Sequence, residues 1–363
     1  MNTSVIAVLL IFSVAFLVMG IELAYQRRTT GIIDMKAARR WFYRTVGAAL
    51  VLLAGLAVFD LADFGRARLA LADAQAGSEA AQRHDPDMAI KLYSKAIDAG
   101  TLDSETQANV FKARGMAQLQ KQDWNAAVQD FTEASKRKVD DPEAYFGLGL
   151  AYSGQGDDEA ALRELDRTIN FNRNPDDILP DAFAARGDTY LTLGQYQRGI
   201  QDFDEALRRR PKDSGAHGGR GEAYFYLGQF GKAETDLAAA VKNDAKVAYY
   251  ALWLYLAQSH QGKDGKATLA QNASALDLKT WPGPVIDFFL GKSSADQVLS
   301  AAQVGDTKTQ HDQQCEADFY LGEHALLAGD KDEGKHLLGE AAGSCDHRFI
   351  EYAGAKAELS RIE

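Results

Sequence analysis

One glycine returns along most of this chain at a nearly constant interval. It stands at Gly77, Gly115, Gly149, Gly187 and Gly221, at spacings of 38, 34, 38 and 34 residues. Twelve residues after each comes a small side chain, four further on a bulky apolar one, and three beyond that a small one again, as in Gly115, Ala127, Phe131 and Ala134. A sixth unit puts Tyr255 in the glycine position with Ala267 twelve on, and a last one has Gly322, Gly334, Leu338 and Ala341. A repeat of this length is one supersecondary unit that cannot bury its apolar face alone, so the units stack into one continuous core. Two helices cross closely only where side chains are small, so Gly149 is expected to face Ala161 and Gly221 to face Ala233, with Phe131, Leu165, Phe203 and Leu237 filling the gaps between neighbouring units. Composition agrees: 32 glycines against 7 prolines and 4 tryptophans suit packed helices better than sheets.

The pattern in FKARGMAQLQKQDWNAAVQDFTEA (111–134), YFGLGLAYSGQGDDEAALRELDRT (145–168), FAARGDTYLTLGQYQRGIQDFDEA (183–206) and HGGRGEAYFYLGQFGKAETDLAAA (217–240) resembles the tetratricopeptide repeat family. The resemblance implies an all-α solenoid of about six to seven helix-turn-helix units over 63–268. Boundary signals agree. Asp141 caps a helix whose first turn holds Pro142, Pro180 and Pro211 mark other helix ends, and AGTLDSE and NRNPDDILP carry the four extra residues of the longer spacings. From 269 to 314 the period is lost. WPGP at 281–284 breaks the chain, and an irregular linker with two short helices is expected. Residues 315–363 read as a terminal hairpin and a capping helix (349–362), whose partial stripe of Ile350, Ala353, Ala357 and Leu359 would cover the last open face.

Ahead of the repeats lie two apolar stretches. Residues 4–21 hold no charge, and 45–59 are uncharged behind the aromatics Trp41, Phe42 and Tyr43. Crossing the hydrocarbon takes ~20 apolar residues, so residues 1–62 read as a two-span transmembrane hairpin, with spans about 4–22 and 43–62 and a basic loop at 27–44. A cleaved signal peptide fits less well, because MNTS carries no basic residue. The loop holds Arg27, Arg28, Lys36, Arg39, Arg40 and Arg44 against Asp34 alone. Short basic loops stay cytoplasmic, which places everything after residue 62 outside, in a bacterium the periplasm. Arg66 and Arg68 pull the other way and keep a cytoplasm-facing array open as an alternative.

The two cysteines, Cys315 and Cys345, fall at repeat positions 1 and 31 of the last hairpin. Those ends meet when two helices run antiparallel, and outside the cytoplasm a disulfide there would persist. Buried thiols in a cytoplasmic protein, or a zinc site completed by His311 and His347, remain alternatives.

No phosphate-cradling run, no GxSxG, no HExxH and no useful Ser/His/Asp set occurs. The acidic runs GDDE (156–159) and GDKDEG (329–334) read as solvated turns without the spacing of a calcium loop. No enzyme, cofactor or metal site is therefore expected, and the net charge of −11 argues against nucleic acid. What remains is recognition. In the repeat family a concave groove is lined by fixed positions of each first helix. The resemblance carries these to Asn109, Lys112, Met116, Leu119, Glu143, Phe146, Leu150, Asp181, Asp188, Leu191, Glu222, Phe225, Tyr226, Tyr249, Leu252 and Leu256. Only Asn109 and Lys112 hint at the family's clamp for C-terminal carboxylates. The mixture of apolar and acidic side chains suits a protein or peptide partner with some basic residues.

WLYLAQ (253–258), Trp281 followed by VIDFFLG (285–291), CEADFYLGEHALLAGD (315–330) and FIEYAGAKAEL (349–359) resemble the C-terminal half of NlpI-like periplasmic repeat proteins. That resemblance implies an adaptor in the cell envelope, serving cell-wall hydrolases or proteases. This chain departs from it in having no lipobox and two apolar stretches. The expected role is a membrane-anchored scaffold or adaptor. The alternative is a cytoplasm-facing scaffold, an assembly factor or structural subunit of an inner-membrane complex.

Overall fold

The computed structural model describes residues 35–171 and 178–362, with scattered positions between 13 and 29. Within the described residues the chain is helical, without a strand, and it divides into two compact units, Met1–Val110 and Phe111–Glu363. Among the described residues no helix is long and apolar enough to cross a membrane. The first expected span, 4–22, lies largely outside them. So do most side chains of the second, 43–62, whose backbone belongs to helix α1.

In the first unit α1 (Met35–Gln82) turns into α2 (Pro86–Asp98). Asp85 caps α2 by accepting from the Met88 N–H, and Gly77 sits under the Tyr93 ring, where a Cβ would come within 2.7 Å. Helix α3 (Ser104–Gln120) leads into the second unit. There A and B helices alternate as α4 (Trp124–Arg137), α5 (Pro142–Gln155), α6 (Asp158–Asn170), α7 (Leu179–Thr192), α8 (Tyr196–Arg209), α9 (Ser214–Tyr226), α10 (Phe230–Asn243), α11 (Ala248–Ser259) and α12 (Lys266–Ala273). The short helices α13 (Gly283–Phe289) and α14 (Ala295–Ala302) interrupt the alternation before α15 (Thr307–Ala328), α16 (Lys331–Ser344) and α17 (Ile350–Ile362). Of the second inserted loop, residues 172–177 lie outside the description.

Each A helix ends on a residue with left-handed backbone. It is glycine at 156, 194, 228, 262 and 329, and His84 and Gln122 in the first two units. That recurrence counts seven hairpins, including the sixth, which has no helix-A glycine. The acidic runs sit in these turns as helix caps: Asp157 accepts from the Ala160 N–H and Asp330 from the Glu333 N–H. The inner register differs from the expected one. Gly149 meets Leu165, sixteen residues on, and not Ala161, with a Cβ there lying 2.6 Å from the Leu165 side chain. The same offset joins Gly115 to Phe131, Gly187 to Phe203, Gly221 to Leu237 and Gly322 to Leu338. Phe131 and Phe203 also reach the next unit, at Gly147 and Gly219.

One residue before three of these glycines, Gly115, Gly187 and Gly221, an arginine forks onto a buried aspartate, again sixteen on. Both Arg114–Asp130 and Arg186–Asp202 have two contacts of 2.7 Å, and Arg220–Asp236 has contacts of 2.8 and 2.6 Å. Arg186 and Arg220 further bond Asp166 and Asp204 in the preceding B helix, both at 2.5 Å, which ties unit to unit.

Cys315 and Cys345 form a disulfide with Cα atoms 5.2 Å apart. Cys315 lies within α15, which begins eight residues earlier than the expected hairpin, and Cys345 closes α16. The alternative zinc set has therefore lost its thiols, and His311 Nε2 contacts the Ser344 carbonyl instead. Helix α17 does more than cover the last unit. It packs on α15 and α16 and then runs back onto α9 and α7. Its buried face is Glu351, Ala353, Gly354, Ala355 and Glu358, whereas Ile350, Ala357 and Leu359 of the expected stripe are half-buried.

Candidate functional site

Successive A helices of the second unit lie against one another, α5 on α7, α7 on α9 and α9 on α11, and successive B helices do so less. The array therefore curves with its A helices inside. Along this inner face a cavity of about 400 Å³ opens between α5, α7, α9 and α11. Phe146 and Leu150, one helical turn apart, form one wall. Asp181, Ala184, Ala185 and Asp188 form a stripe along α7, and Ala216, Gly219 and Glu222 a second stripe along α9. Tyr250 of α11 closes the far side. Its ring packs on Gly218, where a Cβ would lie 2.5 Å away. Small residues make the room, and carboxylates stand at the ends of the stripes.

The charges differ in their company. Asp181 and Asp213 share Arg210, at 2.7 and 2.9 Å. Asp188 and Glu222 have no hydrogen bond or ion pair among the described residues. Burial pushes the Glu222 carboxyl up to about 8, with the Asp188 charge adding to the rise. Burial, and next the charge of Asp213, also raises Asp188, although its exposure through the groove mouth lets solvent screen it more than Glu222. Tyr250 is raised to about 12, by burial first and then by Glu222.

Other positions expected in the groove are placed elsewhere. Lys112 binds Asp141 at 2.8 Å and Glu143 at 2.6 Å, so the hinted carboxylate clamp is occupied. Asn109, in the first unit, is exposed, as is Met116, and Leu119 packs beside the Phe131 cluster. Leu191 lies against Gly199 inside its own hairpin. Phe225, Tyr226, Leu252 and Leu256 are buried in the core. That core extends through Trp253, which meets Phe225 edge-on at 4.9 Å and stacks on Phe319 at 5.3 Å.

Helix α17 is what fills the groove at this end. Gly354 fits between Phe319 and Trp253, the Tyr226 hydroxyl donates to the Ile350 carbonyl at 3.0 Å, and Arg361 donates to the Phe225 carbonyl at 2.9 Å. Glu351 accepts from the Tyr320 hydroxyl at 2.9 Å. Beside it, Glu316 accepts from Tyr249 and from Trp281 Nε1, each at 2.8 Å. His260, Glu323 and Glu358 offer ligand atoms within 4.8 Å of one another, the one such trio among the described residues. His260 Nε2 bonds Glu323 at 2.7 Å and Arg361 pairs with Glu358. Two carboxyl groups thus meet an imidazole and a guanidinium, and the set forms a polar latch on α17.

Neither the Arg–Asp forks nor this latch is among the features the sequence pattern predicts. The forks leave a trace, Arg-Gly followed sixteen residues later by Asp-Phe or Asp-Leu. The latch leaves none, since its members are 63 and 98 residues apart.

The tetratricopeptide repeat family matches residues 112–176 and 184–248, and those residues are tetratricopeptide repeats. Among solved structures it is similar to PilW, a widely conserved type IV pilus biogenesis factor, with TM-score 0.50 and 16% identity over 56% of this chain and 92% of that one. PilF of Pseudomonas aeruginosa gives TM-score 0.49 and 15% identity over 63% and 100%. A tetratricopeptide repeat protein from Parabacteroides merdae gives 0.47 and 13% over 80% and 99%. At these identities the likeness is one of fold.

Proposed function

We propose that the protein is a membrane-anchored adaptor that holds a segment of a partner protein along the inner face of its repeat array, on the outer side of a bacterial inner membrane. The open cavity between α5 and α11 carries the binding part of this reading, because it is the stretch of inner face that α17 leaves uncovered. The anchor rests on the uncharged residues 4–21 and 45–59. Among their described side chains Leu17, Ile21 and Val51 stand 64%, 62% and 73% exposed, as lipid-facing side chains do. The orientation rests on the basic loop at 27–44 and agrees with the Cys315–Cys345 disulfide, a bond that persists in oxidising compartments. The C-terminal motifs that resemble NlpI-like proteins favour partners among envelope hydrolases and proteases.

Alkaline phosphatase fused after residue 363 should be active, and a fluorescent protein fused there should stay dark. A glowing fusion with inactive phosphatase would favour the cytoplasm-facing scaffold suggested by Arg66 and Arg68. A photo-crosslinker at Leu150 should capture a partner that one placed on the outer face of α8 does not.

A further inference from the structure

We propose that the inner-face cavity receives the side chain of a lysine or arginine from an extended partner segment, with Glu222 and Asp188 as its counter-charges and Phe146 and Tyr250 flanking its stem. This deepens the reading of the inner face as a binding surface and rests on it. Glu222 is 8% exposed, lines the cavity, and has no hydrogen bond or ion pair among the described residues. A carboxylate removed from water with no partner is unfavourable, and native folds rarely leave one so unless something completes it.

The chain's own cations do not complete it. Arg210 is held by Asp181 and Asp213, Arg186 by Asp202 and Asp166, and Arg220 by Asp236 and Asp204. Each of these arginines is committed to aspartates, and the two carboxylates left over face the same opening. The walls suit a long aliphatic stem with a charged tip. Phe146 and Leu150 are half-buried apolar surface, and Tyr250 presents a ring.

The titration of the site agrees. Around Glu222 stand Asp188 and Asp181 from α7, Asp213 at the start of α9, Tyr226 from α9, Tyr250 from α11 and Glu351 from α17, with Arg210 held on the two outer aspartates. Like charges and burial keep Glu222 protonated near neutrality in the empty groove. An arriving cation reverses that balance, so binding releases a proton.

The test uses the full chain in detergent and pools of fluorescein-labelled nonapeptides. The central residue is fixed as lysine, arginine, acetyl-lysine, norleucine or glutamate, and the flanking positions are randomised. The lysine and arginine pools should bind about tenfold or more tighter than the norleucine and acetyl-lysine pools, as expected for a charge-assisted contact in a desolvated site. Glu222→Gln and Asp188→Asn should each shrink that preference without unfolding the chain, since neither breaks an existing bond. Equal binding of the lysine and norleucine pools, with both still crosslinking to position 150, would overturn the cation and leave the groove reading standing. Absence of binding by every pool would sink both. Butylamine binding as strongly as the lysine pool would overturn the peptide as occupant.

Discussion

Gly147 has no side chain because Phe131 fills the space one would take. A Cβ there would lie 2.3 Å from the ring, and on its other side the ring rests on Gly115, where a Cβ would lie 3.0 Å away. Phe131, 1% exposed, therefore has nowhere to retreat. Gly147→Ala gains ~1 kcal/mol in helix propensity, but overpacking a filled core costs ~1–3 kcal/mol. The variant should unfold at lower urea by about 1 kcal/mol, and Phe131→Leu in the same chain should recover part of the loss. A neutral or stabilised Gly147→Ala would show that the ring moves freely. The glycine spacing was legible in the sequence, but its opposite number was not. Pairing Gly149 with Ala161 assumed that small meets small. The left-handed turn at Gly156 instead sets position i against i+16, which brings bulky Leu165 onto the glycine. The Arg-Gly and Asp-Phe pairs recur just as visibly, but charged residues on helices are usually solvated, so the recurrence alone does not predict a buried fork.

Helix α17 was legible as a helix and illegible as an occupant of the groove. Its buried face is made of small residues and two glutamates, a pattern that gives no apolar stripe. It makes sense only opposite partners remote in the chain, Tyr320 for Glu351 and His260 with Arg361 for Glu358. Those carboxyls carry the pH dependence of the element. Glu358 is raised to about 7, by burial first and then by the charge of Glu323, and burial with the Glu316 charge raises Glu351 well above its ordinary value. Burial alone would lower His260, but its hydrogen bond to Glu323 and the surrounding carboxylates outweigh it and leave it raised. All three hold protons more tightly in the folded chain than in the unfolded one. Their contribution to stability is therefore full below about pH 4.5 and drains away as pH rises, for Glu358 through about 7. Amide exchange in 350–362, corrected for its intrinsic pH dependence, should be better protected at about pH 5 than at about pH 8. Glu358→Gln keeps an acceptor for Arg361 and should flatten the difference. Protection that increases with pH in the unmodified chain would mean that the latch draws its strength from ionised carboxylates.

A linear repeat array contacts only its neighbours, so its units can unfold in turn and its transition broadens as the interfaces weaken. The second unit departs from that plan. Arg348 reaches the Gly154 carbonyl across 194 residues, Tyr226 bonds Ile350 across 124, and Arg361 donates to Phe225 across 136. These contacts join the turn after α5, the end of α9 and the disulfide-bonded pair α15–α16 through one short segment. Each is modest, since a net hydrogen bond contributes ~1 kcal/mol. Their effect on cooperativity exceeds their sum, because opening any middle hairpin must also break the closure. A chain ending at Cys345 keeps the repeats and the disulfide but loses the closure and uncovers Trp253 and Phe319. It should unfold in urea over a wider range than the full chain, with tryptophan fluorescence changing before helicity is lost, whereas the full chain should give coincident curves. Reducing the disulfide in the full chain tests the other fastening. A bond closing a loop of this length contributes ~3–4 kcal/mol on the chain-entropy model, and its loss should loosen α15 and α16 first. If the truncated chain keeps coincident transitions and the full midpoint, cooperativity resides in the neighbour interfaces and the Arg–Asp forks, and α17 is merely a passenger in the groove.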